Sequence, residues 1–260
     1  MTMRSNPLRE RLAAGHGAVG TMAFEFFTPG LPAILAAAGA EFVILDMEHS
    51  GIGMDALKVQ LAAARGLPLM PFVRVPAGES HLIAPVLDAG AMGIMVPMVE
   101  TAEQAADIAR WCRYRPDGTR GLGFGVAHDD YTDGDVREKI RAANDRTVVI
   151  ALVETVRGIA NADAILGTPG IDVGWLGHFD LTDSMGITGQ FNNPAFDEAV
   201  KTFVAACRRH GKPAGILAPD VATALSWRDR GFSVFCYGTD IGLLKGALAT
   251  GVAALRGEDR

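Results

Sequence analysis

Residues 147–180 read TVVIALVETVRGIANADAILGTPGIDVGWLGHFD, and this stretch decides the fold. The run 147–153 (TVVIALV) is almost entirely apolar and rich in β-branched residues, as befits a strand buried on both faces. Glu154 follows it at once. A helical stretch, 158–166, comes next, then Thr-Pro-Gly, then a second apolar run, 171–176 (IDVGWL), with Asp180 just beyond. Strand, helix, strand at this spacing is a βαβ unit, whose strands pair in parallel through a right-handed crossover. Residues just past the two strands then share one rim of the sheet, and Glu154 and Asp180 meet there.

The same rhythm extends in both directions. Earlier strands are expected at 18–24, 42–47, 69–75 and 93–98, and later ones at 213–217 and 232–237. With the two above they make eight. Helical patterns fill the gaps at 30–39, 54–65, 79–89, 101–112, 158–166, 195–210, 220–230 and 240–255. Thr101 is a plausible N-cap, and Gly39, Gly90 and Gly211 end helices. Eight strands alternating with helices predict an α/β fold, a (β/α)8 TIM barrel filling residues 1–260 as one domain; such barrels take about 250 residues. An open doubly wound sheet is the alternative. It predicts a glycine-rich phosphate loop after the first strand, where this chain has FEFFTPG (24–30). One interval, 113–146, breaks the rhythm. It reads as a long excursion of the fourth strand-to-helix connection, ending in a helix near 134–144, and loops of that length often serve function.

Composition narrows the class. Of the 260 residues 49% are hydrophobic, enough for a large core, and the formal net charge is -6. No cluster of Lys and Arg offers a footprint for nucleic acid. Cys112, Cys207 and Cys236 are odd in number and lack CxxC spacing, which excludes zinc fingers and a disulfide framework and suits a reducing, cytoplasmic compartment. The N-terminus, MTMRSNPLRERLAAG, reads as a short polar helix without a signal core. No apolar run reaches the roughly 20 residues of a membrane span.

In a barrel of this kind the chemistry lies where strands end. The second strand ends in Asp46, Glu48 and His49, the third in Arg74, the fifth in Glu154, and Asp180 lies just past the sixth. A charge at the exit of a buried strand needs a partner, and two carboxylates together need a cation. Glu154 and Asp180 therefore either ligate one divalent ion, Mg2+ or Mn2+, or form separate salt bridges to Arg157 and Arg74. Arg74 suits a carboxylate or an enolate oxygen, or else pairs with Asp46 or Glu48. His49 is a general base or a structural hydrogen-bonding group. Asp88 ends a helix, where its charge opposes the dipole, so it either orients a histidine or is simply solvated. The polar cluster at 128–131 (HDDY) is a solvated loop or a weak metal signal.

The pieces LDMEHS (45–50), FVRVP (72–76), LDAGAMGIMVPMVETAEQA (87–105), RYRPDGTRGLG (113–123), VETVRGIANADAIL (153–166), GHFDLTDSMG (177–186) and GILAPD (215–220), in this order, resemble the HpcH/HpaI aldolases over nearly the whole chain. The resemblance implies a lyase: metal-dependent, reversible aldol cleavage of a 4-hydroxy-2-oxo acid to pyruvate and an aldehyde, by way of an enolate. It implies that Glu154 and Asp180 ligate a divalent metal, Mg2+ with Mn2+ or Co2+ as substitutes. Arg74 would stabilise the enolate, and His49 would serve as acid and base with Asp88 as its partner, reached across a subunit boundary. Backbone N–H groups around Gly177 and Phe179 would hold the pyruvate carboxylate, and Arg120 and Tyr131 would contact the distal part of the substrate. The implied assembly is a homo-oligomer, a trimer or hexamer with exchanged C-terminal helices.

The chain departs from the family pattern at His178 and Phe179, where many members have Pro-Ala, at Leu152, where many have Gln, and at HDDY. His178 and Phe179 bring larger side chains to the carboxylate pocket. The departures leave room for a related enolate-forming lyase, an oxaloacetate decarboxylase or a condensing enzyme; a non-catalytic oxo-acid-binding barrel would not need Glu154, Asp180, Arg74 and His49 together. None of the lysines, Lys58, Lys139, Lys201, Lys212 and Lys245, falls at an expected strand end, which argues against a Schiff base.

Overall fold

Every strand in the computed structural model, which describes residues 3–257, is a short apolar run that alternates its side chains between two cores. The strands are β1 (Ala18–Ala23), β2 (Phe42–Asp46), β3 (Met70–Arg74), β4 (Gly93–Val96), β5 (Val148–Val153), β6 (Val173–Leu176), β7 (Ala214–Ala218) and β8 (Val234–Thr239). They pair in sequence order, all parallel, and β8 closes on β1 through Ala18↔Val234 and Val19↔Phe235. The result is the expected (β/α)8 barrel. Its interior is filled by Phe42, Ile44, Phe72, Met95, Ile150, Leu152 and Trp175 among others. The outer core lies between strands and helices, with Val43, Val73, Val149, Val153 and Ile216 facing it. Gly20 is required where β1 and β2 pinch together, because a Cβ there would lie 2.2 Å from the Phe42 carbonyl oxygen.

The helices are α1 (Pro7–Ala13), α2 (Leu31–Ala37), α3 (Met54–Ala63), α4 (Ser80–Asp88), α5 (Ala102–Trp111), α6 (Val136–Arg146), α7 (Val156–Ala160), α8 (Ala162–Gly167), α9 (His178–Ser184), α10 (Pro194–Arg209), α11 (Val221–Asp229) and α12 (Asp240–Arg256). The helix expected over 158–166 is divided into α7 and α8 at Asn161, whose backbone (φ -99°, ψ 6°) departs from helical values and whose side chain donates to the Glu100 carbonyl. The ends of the expected 1–260 domain, residues 1–2 and 258–260, lie outside the described residues. Among the described residues no helix is long and apolar enough to cross a membrane.

Two features differ from the sequence expectation. The N-terminal helix is polar on average, yet Leu8 and Leu12 of α1 pack into the interior core with Met70, Met92 and Val148, at the N-terminal ends of the strands. Asn6 anchors that plug by donating to the carbonyls of Met92 and Arg146. The excursion is also on the other side of the barrel. Helix α5 has already carried the chain back to the N-terminal end before residue 113, so the excursion belongs to the helix-to-strand return before β5. It runs through a short 3-10 turn, Ala127–Asp129, into α6. A polar network holds it there: Lys139 with Asp129 at 2.8 Å, Arg65 with Asp130 at 3.2 Å, and Arg120 with Asp88 at 2.5 Å.

The plug makes a direct prediction. Leu12→Ala empties a fully buried site in the barrel floor and should cost about 2–5 kcal/mol, as for other buried leucines. Urea unfolding should show a lowered midpoint; an unchanged midpoint contradicts the plugging role.

Candidate active site

The strand order dictates which residues share the C-terminal mouth. Asp46 is the last residue of β2 and Arg74 the last of β3, and they are directly opposite in the ladder. Arg74 Nε donates to Asp46 Oδ1 at 2.5 Å, and Nη1 lies 3.0 Å from Glu48 Oε2. Asp46 is fully buried. Its carboxylate also accepts the backbone N–H groups of Glu48 (3.3 Å) and His49 (2.8 Å), so the loop after β2 wraps around it. The guanidinium carbon of Arg74 stands 5.7 Å from the centre of the Phe24 ring. Arg74 is thus locked on two carboxylates while part of its five-donor fork remains uncommitted. Between the two readings of Arg74 the ion pair with Asp46 and Glu48 is real, and it fixes the fork in place.

Glu154 follows β5 and is only 4% exposed. Its Oε1 accepts the Met98 N–H at 2.8 Å. The salt bridges open to the two carboxylates do not form. Arg74 is held by Asp46 and Glu48, and Arg157 lies 3.4 Å from Glu100. Among the described residues neither Glu154 nor Asp180 has a Lys, Arg or His partner. Burial pushes the Glu154 carboxyl up to about 7, Asp180 and Glu48 add repulsion, and the Met98 N–H and Arg74 offset only part of this. Burial likewise raises Glu48, against the pull of Arg74.

Asp180 is the third residue of α9, a helix absent from the sequence expectation. Gly177 caps α9 without a side-chain hydrogen bond, and its own N–H donates to the Val153 carbonyl at 3.1 Å. The Gly177 amide is therefore committed to the β5–β6 ladder, and the amides open to an anion are those of the first turn after it. Glycine is needed at 177 for a different reason. A Cβ there would lie 2.3 Å from Glu154 Oε2, so the missing side chain makes the cradle in which that carboxylate rests.

A donor set of two hard carboxylates just past adjacent strands, with no Lys, Arg or His partner among the described residues, fits a divalent ion such as Mg2+. Among the described residues no group of three or more His, Cys, Asp or Glu side chains gathers to hold a metal. An ion bound by Glu154 and Asp180 alone would leave most of its coordination positions to water and substrate oxygens, as is usual for Mg2+.

His49 lies at the mouth with its side chain exposed, Nε2 3.7 Å from Glu48 Oε2. Phe179 is 61% exposed at the same rim. His178, expected to crowd the carboxylate pocket, turns instead into an aromatic cluster. Its ring lies 4.6 Å from Phe179, 5.3 Å from Phe191 and 6.1 Å from Trp227, and burial lowers its pKa to about 4. Leu152 is buried in the barrel interior.

Asp88, Arg120 and Tyr131 are not at this mouth. Asp88 ends α4 at the N-terminal side of the barrel. Arg120 is buried against it and stacks 4.7 Å over the Tyr114 ring, and Tyr131 lies exposed under Arg65 at 5.1 Å. Neither a His49–Asp88 contact nor a distal-substrate contact from Arg120 or Tyr131 can form within one chain, because each element returns to the opposite end of the barrel before these residues occur.

Two residues escaped the sequence reading. Met98 supplies the N–H that holds Glu154, from a left-handed backbone (φ 56°) that no local pattern reveals. Asp240 is buried at the start of α12 and accepts the N–H groups of Phe24, Glu25 and Phe26, fixing the loop after β1 over the mouth. Its signal was available: Thr239-Asp240 places a carboxylate at the end of the eighth strand.

The profile of the HpcH/HpaI aldolase/citrate lyase family matches residues 25–247. The chain is 37% identical over 259 residues to a hydroxypyruvate/pyruvate aldolase from Roseovarius nubinhibens, covering all of both chains. It is 35% identical to a 5-keto-4-deoxy-D-glucarate aldolase from Klebsiella pneumoniae, over 82% of this chain and 83% of that protein. A solved HpcH/HpaI aldolase/citrate lyase family structure from Burkholderia cenocepacia superposes with a TM-score of 0.90 at 32% identity, covering 97% of this chain and all of that one. A barrel with this mouth, matched over its whole length by aldolases, belongs to the HpcH/HpaI aldolase/citrate lyase family and is a lyase of the aldolase kind.

Proposed function

We propose that this lyase cleaves a 4-hydroxy-2-oxo acid reversibly into a pyruvate-type oxo acid and an aldehyde, with a divalent cation, Mg2+ first among Mg2+, Mn2+ and Co2+, held by Glu154 and Asp180. The observation that carries this reading is the buried Glu154 carboxylate, 4% exposed beside Gly177, which among the described residues has no Lys, Arg or His ion-pair partner. The name of the hydroxypyruvate/pyruvate aldolase relative supports pyruvate or hydroxypyruvate as the nucleophilic partner. When bound, the cation supplies Lewis acidity to the oxo acid.

The chain's own groups do the rest. Arg74, pinned by Asp46 and Glu48, turns its uncommitted N–H groups to the 2-oxo oxygen and shares the negative charge as the enolate forms. The amides in the first turn of α9, past Gly177 and around Phe179, hold the carboxylate. His49 takes the C4 hydroxyl proton in cleavage and returns it in condensation. Its partner Asp88, with Arg120 and Tyr131, serves a neighbouring subunit's mouth, since all three lie on the opposite end of their own barrel.

That arrangement requires a homo-oligomer, a trimer or hexamer. The exposed Ile241, Leu244, Leu248 and Leu255 of α12 support it, because so many large apolar side chains on one helix suit burial against another chain.

Glu154→Gln and Asp180→Asn should each abolish retro-aldol release of pyruvate and lose calorimetric Mn2+ binding. Arg74→Lys should keep Mn2+ binding while kcat falls about 100- to 1,000-fold, the usual cost of one charge-stabilising donor; turnover that survives exhaustive EDTA treatment contradicts the scheme. In the chelated protein the folded Glu154 binds its proton more tightly than the unfolded chain does, so folding stability should fall as pH rises from about 4.5 to about 7. Glu154→Gln should flatten that slope in urea titrations; an unchanged slope would remove Glu154 from this role. Light scattering should return three or six chain masses, and a monomer would contradict the shared mouth.

A further inference from the structure

Among the described residues Met98 is one of three non-glycine residues in the left-handed region, with Asp130 and Tyr131. The conformation is costly for a residue with a Cβ and persists only where surroundings over-determine it. Side-chain burial does not explain it here, since Met98 is 50% exposed. The backbone does. The β4–β5 ladder runs in register to Val96↔Ala151 and resumes at Val99, whose N–H donates to the Leu152 carbonyl at 3.1 Å. Pro97 and Met98 form a bulge between these points, and bulges beside active sites redirect the neighbouring groups. Pro97 has no N–H to give. The next N–H, that of Met98, meets Glu154 Oε1 at 2.8 Å.

The bulge is clamped from beyond. The Glu100 carboxylate accepts from Thr155 Oγ1 at 2.8 Å, its carbonyl accepts from Asn161 at 2.8 Å, and Thr101 and Gln104 form a reciprocal capping box at the start of α5. Glu154 Oε1 is thereby taken by an N–H, while Oε2 lies toward Gly177 with no other hydrogen bond to the carboxylate among the described residues.

We propose that Met98 is a positioning residue: its left-handed backbone aims one N–H at Glu154 Oε1, which orients the carboxylate and leaves Oε2 to a divalent cation. The inference rests on the metal reading given under Proposed function. It assigns the strain at 98 to the site, and it makes the backbone, rather than the methionine side chain, the working part.

Three variants separate backbone from side chain. Met98→Leu and Met98→Gly keep the left-handed conformation accessible, the second without any side chain. Met98→Ile has the volume of leucine but is β-branched, which disfavours that conformation strongly and withdraws the N–H. Calorimetric titration of each protein with Mn2+ alone should show Leu and Gly within about threefold of the parent and Ile weakened about tenfold or more, the usual range for losing a group that orients a metal ligand. Melting temperatures of the metal-free proteins, measured alongside, should be modestly lower for Ile than for Leu, with both proteins folded at the titration temperature. Ile binding Mn2+ as tightly as Leu overturns the inference, and so does Gly binding as weakly as Ile. Parent protein that binds no Mn2+ overturns the metal reading itself, before any variant is compared.

Discussion

A buried carboxylate with no ion-pair partner among the described residues governs this molecule's mouth. Glu154 leaves β5 in an apolar barrel, beside Asp180 and Glu48, and every nearby arginine is committed elsewhere. An arrangement of that sort is unfavourable for the chain alone, and becomes favourable when a proton or a cation joins it. The surrounding structure maintains the imbalance. Asp46 and Glu48 retain Arg74, Glu100 draws Arg157 away, Gly177 leaves space for the carboxylate, and Met98 gives it one hydrogen bond from a strained bulge. The same contacts that withhold an ion-pair partner from Glu154 also fix the Arg74 guanidinium at the mouth, so one network sets both groups.

The barrel places this local device at one of two chemically distinct ends. The strands deliver Arg74, Glu154 and Asp180 to one rim, with His49 exposed beside them. The opposite rim is closed by α1, and the Asp88–Arg120 and Asp129–Lys139 pairs hold the 113–146 segment at that end. A group on the closed rim can act on chemistry only at the mouth of another copy, and the apolar exposure of α12 suits such an assembly.

Much of this was legible in the sequence, and the reasons for the rest are physical. Strands buried on both faces leave unmistakable apolar runs, so all eight appear near their expected places, and ionisable residues at their ends mark the mouth. The residues Asp46, Glu48, Arg74, Glu154 and Asp180 stood out because charge is costly where a buried strand exits. Which of two partners Arg74 takes could not be read, because it depends on the ladder register that sets Asp46 opposite it. Helix α9 is a short segment with no apolar periodicity of its own, and α1 hides two plug leucines among charges. The excursion at 113–146 lies at the end opposite to the one expected, because length alone does not say whether the preceding helix has already run back. His178 looked like a pocket residue by position, but its neighbours Phe191 and Trp227 come from segments far along the chain. The strain at Met98 has no sequence signature, since it arises from a bulge between paired strands.

Enolate formation with a divalent cation on Glu154 and Asp180, as proposed, leaves a signature at pyruvate C3. The most direct measurement is exchange of pyruvate C3 protons in D2O, followed by NMR with no aldehyde present. The account predicts exchange that requires added Mg2+ or Mn2+, stops with EDTA and returns when the metal is restored. Exchange that continues in EDTA, or its absence in the metal-loaded protein, would contradict it.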